Sequence, residues 1–258
     1  MTEMSSYPPG TPSWVDLSTS DLEDATRFYG GLFGWEADAA GDPAETGGYT
    51  MFRLRGKLVA GLGPLPGEGE PPAWTTYVSV DDADDTARQA KEAGAAVIVE
   101  PFDVLDAGRM VVIRDPTDAY FSLWQPAEHH GAELVNEPST LCWNELTTRD
   151  IDTARDFYRG LFGWGVKTNP FEGTVYTEWK LGDHSVGGMI QMTDEWPDDI
   201  PPHWMAYFAV DDCDARAEHA EGLGGKVLDP PTDISPGRFA VLTDPQGAVF
   251  SILEMADE

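Results

Sequence analysis

The chain has 258 residues, 46 acidic against 16 basic, and a formal net charge of −30. A field of that sign repels phosphate backbones and anionic membrane surfaces, so neither nucleic acid nor a membrane is an expected partner. With 41% hydrophobic and 11% aromatic residues, the chain can bury a sizeable core, which excludes a disordered polymer.

Two cysteines, Cys142 and Cys213, without a CxxC pair, argue against a disulfide framework or a zinc knuckle. The first ten residues, MTEMSSYPPG, have neither the basic start nor the apolar centre of a signal peptide. No apolar run approaches the ~20 residues of a membrane helix. A soluble cytoplasmic protein is expected.

Residues 1–11 read as an arm, since Pro8, Pro9 and Gly10 stop any element from starting early. Ser13 to Ser18 alternates as a strand, with Trp14, Asp16 and Ser18 on one face and Val15 and Leu17 on the other. Asp21 then caps a helix whose Leu22, Ala25, Phe28, Tyr29, Leu32 and Phe33 recur at helical spacing, until Gly34 ends it. Strands are expected at Trp35 to Ala39, Tyr49 to Arg53 and Lys57 to Gly61, and a Pro/Gly/Glu-rich connector from Pro64 to Pro72. The order restarts at Trp74: a strand, caps at Asp81 and Asp82, a helix over Ala83 to Ala93, then strands at Ala96 to Glu100, Arg109 to Arg114 and Ala119 to Trp124. The first half is therefore two βαβββ modules.

The second half repeats the first. Phe28 recurs as Phe157 and Trp35 as Trp164, an offset of 157 − 28 = 129 residues, within the copied segments DLEDATRFYGGLFGW and DIDTARDFYRGLFGW. Strands are read near Trp143, Tyr176 and Ser185, at His203 to Val210, and at Phe239 to Thr243 and Ala248 to Leu253. Helices are read up to Phe162 and over Asp212 to Glu221. The domains are thus 12–125 and 141–255, joined by a linker at 126–140. Laid over one another by their caps, the four modules carry Trp14, Trp74, Trp143 and Trp204, each seven residues before an aspartate (Asp21, Asp81, Asp150, Asp211), although the chain has only nine tryptophans.

Four such modules, with the FYxxLFGW and closing DPxG segments, resemble the vicinal oxygen chelate superfamily of glyoxalases, bleomycin-resistance proteins and extradiol dioxygenases. The segments GTPSWVDL, WNEL and DPQGAVFS are similar to a two-domain actinobacterial branch that includes a mycobacterial culture-filtrate antigen and proteins called hydroxylases. The resemblance implies an α+β fold: tandem glyoxalase-like domains, with the four modules forming two curled mixed sheets and the helices outside. It also places the superfamily's metal ligands here on Trp14, Trp74, Trp143 and Trp204, with the acidic ligand on Ser122 and Ser251. An indole nitrogen is only a donor, and divalent metals want imidazole and carboxylate, so these positions are unsuited to a metal. His129, His130, His184, His203 and His219 make no three-ligand set. Neither metal nor cofactor is called for.

By alternation, each expected cleft has an aromatic wall and one carboxylate. Trp14, Trp74 and Ser122 surround Asp16, while Trp143, Trp204, Phe208 and Ser251 surround Glu145. A carboxylate beside a tryptophan is partly desolvated, which suits acid–base work, or else it bonds the arginine of the following turn, Arg109 or Arg238. The reading is a metal-free protein that binds a small hydrophobic or aromatic metabolite. The alternative is a hydroxylase-type enzyme of secondary metabolism with Asp16 and Glu145 as acid and base; a metal-dependent lyase or dioxygenase comes third. Two fused halves can supply both clefts in one chain, so a monomer is expected, with a dimer as the alternative.

Overall fold

The computed structural model describes residues 2–67, 69–171, 174–194 and 196–256. Met1 of the arm and Glu68 of the connector lie outside them. The first half comprises β1 (Thr2–Glu3), β2 (Pro12–Thr19), α1 (Leu22–Phe33), β3 (Glu36–Ala39), α2 (Pro43–Thr46), β4 (Thr50–Leu54), β5 (Lys57–Pro64), β6 (Ala73–Ser79), α3 (Ala83–Glu92), β7 (Ala96–Val104), β8 (Gly108–Arg114) and β9 (Tyr120–Pro126). After β10 (Leu134–Val135) come β11 (Leu141–Thr148), α4 (Ile151–Phe162), β12 (Gly165–Phe171), β13 (Thr174–Leu181), β14 (His184–Gln191), β15 (His203–Ala209), α5 (Cys213–Gly222), β16 (Lys226–Ile234), β17 (Gly237–Thr243) and β18 (Val249–Met255).

Each half builds its own eight-stranded mixed sheet. The orders are β3-β4-β5-β2-β6-β9-β8-β7 and β12-β13-β14-β11-β15-β18-β17-β16. The two module-opening strands of a half meet antiparallel at the centre, β2 on β6 and β11 on β15, and each is flanked by a parallel partner. The expected tandem α+β architecture is borne out. The arm is a docking strand: β1 pairs antiparallel with β10 of the linker.

The helices form as their caps dictate. Asp21 accepts from the Asp24 amide and Asp150 from the Thr153 amide, while Gly34 and Gly163 end α1 and α4 in the left-handed conformation at φ 73° and 68°. They cover one face of each sheet, outside the curl, and there the two halves pack back to back. One core joins Leu17, Phe28, Tyr29 and Trp35 of the first half to Phe208, Ala217 and Phe250 of the second. The other joins Val78, Ala87 and Phe121 to Phe157, Tyr158, Trp164 and Trp204. Strands therefore pair within a half, whereas cores form across halves.

The copied motifs account for this docking. Tyr29 stacks on Trp35 (5.8 Å, 18°) and Tyr158 on Trp164 (5.5 Å, 14°). The Tyr158 hydroxyl donates to Asp115 Oδ2 at 2.7 Å, and the Tyr29 hydroxyl to Asp244 Oδ2 at 3.2 Å, each reaching the DP turn of the opposite half. The other oxygen of each aspartate holds its own turn, taking the Thr117 and Ala119 amides in one half and those of Gln246, Gly247 and Ala248 in the other. Gly247 sits at φ 102°, and Asp118 takes the same left-handed place at 76°, a conformation aspartate tolerates.

Candidate functional site

The opposite, concave face of each sheet carries a repeated polar chain. In the first half, Tyr49 and Tyr77 donate their hydroxyls to the same Asp16 oxygen, Oδ2, at 3.0 and 2.8 Å, and Trp14 Nε1 donates to the Tyr49 hydroxyl at 3.2 Å. In the second half, Trp143 Nε1 donates to the Tyr176 hydroxyl at 2.8 Å. Tyr207 donates to Glu145 Oε1 at 2.9 Å, and Tyr176 is also directed at that carboxylate. Ser122 and Ser251 lie beside Tyr77 and Tyr207 in the adjoining strands, with hydroxyls that are buried and close no hydrogen bond of normal geometry.

The strands dictate this arrangement. In an antiparallel pair, residues directly opposite share a face. Trp14 is opposite Tyr77 and Trp143 opposite Tyr207, so all four face the concave side. Asp16 pairs with Gly61 and Glu145 with Gly188. A Cβ on either glycine would collide with the hydroxyl of Tyr49 or Tyr176. Those glycines are the gaps through which the second phenol reaches its carboxylate.

Three expected cleft residues lie elsewhere. Trp74 is opposite Leu17 and Trp204 opposite Leu146, so both face the helices. Their indoles donate to Tyr29 and Tyr158 at 3.0 and 2.9 Å inside the shared cores. Phe208 packs there with Phe33, Trp35 and Trp74. The cause is a one-residue shift in the caps. The second helix of each half is capped by Asp82 or Asp212, not Asp81 or Asp211. Trp74 is thus 82 − 74 = 8 residues before its cap while Trp14 is 21 − 14 = 7 before its own, and in a strand one residue exchanges the faces. Aligned on the true caps, the position five residues before holds Asp16, Tyr77, Glu145 and Tyr207. The four tyrosines were absent from the sequence-based site, and this alignment is the signal that finds two of them.

Arg109 and Arg238 do not reach the cleft carboxylates. Arg109 pairs with Asp84 and Asp103, and Arg238 with Asp214 and Asp233, at the surface. Burial pushes the Asp16 carboxyl up to about 6 despite the two phenol donors, and it also raises that of Glu145. The phenols facing them are driven well above their ordinary value by burial and by the neighbouring carboxylate. The first site therefore has a carboxyl able to exchange a proton near neutrality, and the second a carboxyl whose proton is held more tightly than usual, each among phenols that stay protonated.

The superfamily's metal does not fit this donor set. The Asp16 oxygen already accepts two phenols, the indoles can only donate, and Ser122 and Ser251, where the resemblance puts the acidic ligand, bring only hydroxyls. Among the described residues, no three His, Cys, Asp or Glu side chains are grouped to hold a metal ion. No helix among them is long and apolar enough to cross a membrane.

Two such sheets, each built from paired βαβββ modules around a concave site, define the class. The chain belongs to the Glyoxalase/Bleomycin resistance protein/Dioxygenase superfamily, whose family model matches residues 11–123 and again 140–252. Within it, the chain is 46% identical over 263 residues to "Putative glyoxylase CFP32" of Mycobacterium tuberculosis, covering 100% of both chains. It is 39% identical over 268 residues to the anthracycline biosynthesis protein DnrV of Streptomyces peucetius, covering 98% of this chain and 96% of that one. The fold is shared with a Mn(II)-bound glyoxalase from Novosphingobium aromaticivorans (TM-score 0.68, 16% identity, 97% of this chain and 83% of that one). It is shared too with the 2,3-dioxygenase LapB from Pseudomonas sp. KL28 (TM-score 0.65, 13% identity, 96% and 92%).

Proposed function

We propose that the chain binds a small aromatic or otherwise hydrophobic molecule on a concave face, seated against a tryptophan and hydrogen-bonded at the phenol-clamped carboxylate, without a resident metal. The observation that carries this reading is the duplicated Trp–Tyr–carboxylate–Tyr chain. A buried carboxylate with a raised pKa costs stability in its ionised form, and such groups concentrate where a ligand or reaction uses them. An indole wall with a few convergent polar groups suits a flat ring bearing hydroxyls. The relatives named for anthracycline biosynthesis support the same ligand class, since anthracyclines are flat polycyclic compounds.

Titrating intrinsic tryptophan fluorescence with anthraquinones and naphthols tests it. Saturable quenching is expected, unchanged after dialysis against a chelator. An absence of quenching by every compound would overturn the reading.

One observation favours a second reading, an enzyme of secondary metabolism of the hydroxylase type. The Glu145 carboxyl, half-buried beside Trp143, has its pKa raised by burial, which moves it toward taking a proton from a phenolic substrate. The double variant Asp16→Asn with Glu145→Gln should then fold yet lose turnover of any compound the wild type converts; retained turnover would remove the carboxylates from the mechanism.

A further inference from the structure

We infer that the two clefts have diverged: the second, around Trp143, Glu145, Tyr176 and Tyr207, is the one that admits a small molecule, and the first is filled by the chain's own linker and arm. The choice of cleft rests on burial, whereas the ligand rests on the binding reading proposed above.

The tryptophan and the carboxylate differ in access between the two clefts, while the phenols match: Tyr49 and Tyr176 are half-buried, and Tyr77 and Tyr207 are buried. Trp14 is 3% exposed and Asp16 7%, while Trp143 and Glu145 are only half-buried. The cover on the first cleft is identifiable. His129 of the linker presents its ring edge-on to Trp14 at 4.5 Å and to Trp124 at 5.7 Å, and its carbonyl accepts from Trp124 Nε1 at 2.8 Å. Met4, Ala132 and Val135 complete the packing against Trp14, Tyr77 and Trp124.

This cover is built into the backbone. The Ala132 amide donates to the Ser13 carbonyl at 2.8 Å and the Glu133 amide to Leu58 at 2.7 Å, while the Glu133 carboxylate accepts the Leu58 amide at 2.7 Å. The Tyr7 hydroxyl ties the arm to the Ala132 carbonyl at 2.7 Å. Gly131, at φ 117°, passes so close to the Ser13 carbonyl that any Cβ would collide with it. Burial lowers the His129 pKa to about 4, so the inserted ring is neutral at physiological pH, and its buried Nε2 has no hydrogen-bond partner. A neutral aromatic ring of this chain thus stands where the reading above would place a ligand's.

The second cleft is roomier by sequence. The position of Trp124 is taken there by Leu253, at the same 129-residue offset and the same register beside the central strand. Trp143 offers a flat wall and Glu145 an acceptor. The net charge of −30 disfavours carboxylate- or phosphate-bearing ligands. The expected class is therefore a neutral or cationic aromatic molecule bearing a hydroxyl.

The full chain labelled with 5-fluorotryptophan provides the test, with fluorine resonances assigned through Trp14→Phe, Trp124→Phe and Trp143→Phe. A neutral gadolinium chelate should broaden Trp143 several-fold more than Trp14 or Trp124, and equal broadening would overturn the sealed first cleft. Added 2-naphthol should shift Trp143 and saturate at one equivalent; a shift at Trp14, or two equivalents, would overturn the choice of cleft. If naphthol shifts nothing while Trp143 alone is broadened, the sealing is supported and the binding reading fails. His129→Ala should expose Trp14 to the chelate, and undiminished protection would overturn the role given to the imidazole.

Discussion

Asp16 is the residue at which packing and chemistry pull apart. Its carboxyl is buried, its pKa is raised to about 6, and two phenols spend their hydroxyls on one of its oxygens. A pKa raised on folding means the native state holds the proton more tightly than the unfolded chain does. The stabilisation is complete below the unfolded value, about 3.9, and is lost as pH rises through about 6. At neutral pH the ionised group costs on the order of 3 kcal/mol. Asp16→Asn keeps the shape and an oxygen that can accept both phenols. Urea unfolding should show it more stable than the wild type at pH 7.5, by up to ~3 kcal/mol, with a flatter profile between pH 4 and 6. An unchanged pH profile would show that Asp16 does not titrate as its burial implies.

At the scale of elements, the sequence and the structure agree on most boundaries and part over a single residue of parity. The strands that open the modules, the amphipathic helices and the tandem order were legible because capping residues and hydrophobic periodicity are local. The strands β12 and β16 were not read in the second half, although their counterparts were in the first. The short pairing of arm with linker was illegible because the partners lie more than a hundred residues apart. Adjacent aspartates at 81–82 and 211–212 hid the true cap, and with it the face of Trp74 and Trp204. The same elements explain why FYxxLFGW is duplicated. Its tyrosine receives an indole and reaches the DP turn of the other half. Tyr158→Phe leaves the Trp204 indole and one Asp115 oxygen unpaired in a dry core. It should cost about 3 kcal/mol by denaturant titration, with little effect on the concave sites.

For the whole molecule, the decisive fact is that sheets belong to halves while cores do not. Either half alone would expose an aromatic face made to meet the other. Residues 1–126 or 136–258 expressed separately should fail to give a sharp thermal transition, or should self-associate on that face; a stable monomer of either would contradict the crossed cores. The crossing also sets a schedule for synthesis. The Tyr29 hydroxyl meets Asp244 across 215 residues of sequence. At ribosomal rates of roughly 5–20 residues per second, α1 and its strand wait on the order of 10–40 s for Phe208 and Phe250 to emerge. The first half leaves the ribosome with its own sheet able to pair and its greasiest surface bare, so its birth depends on what shields that surface until the second half arrives.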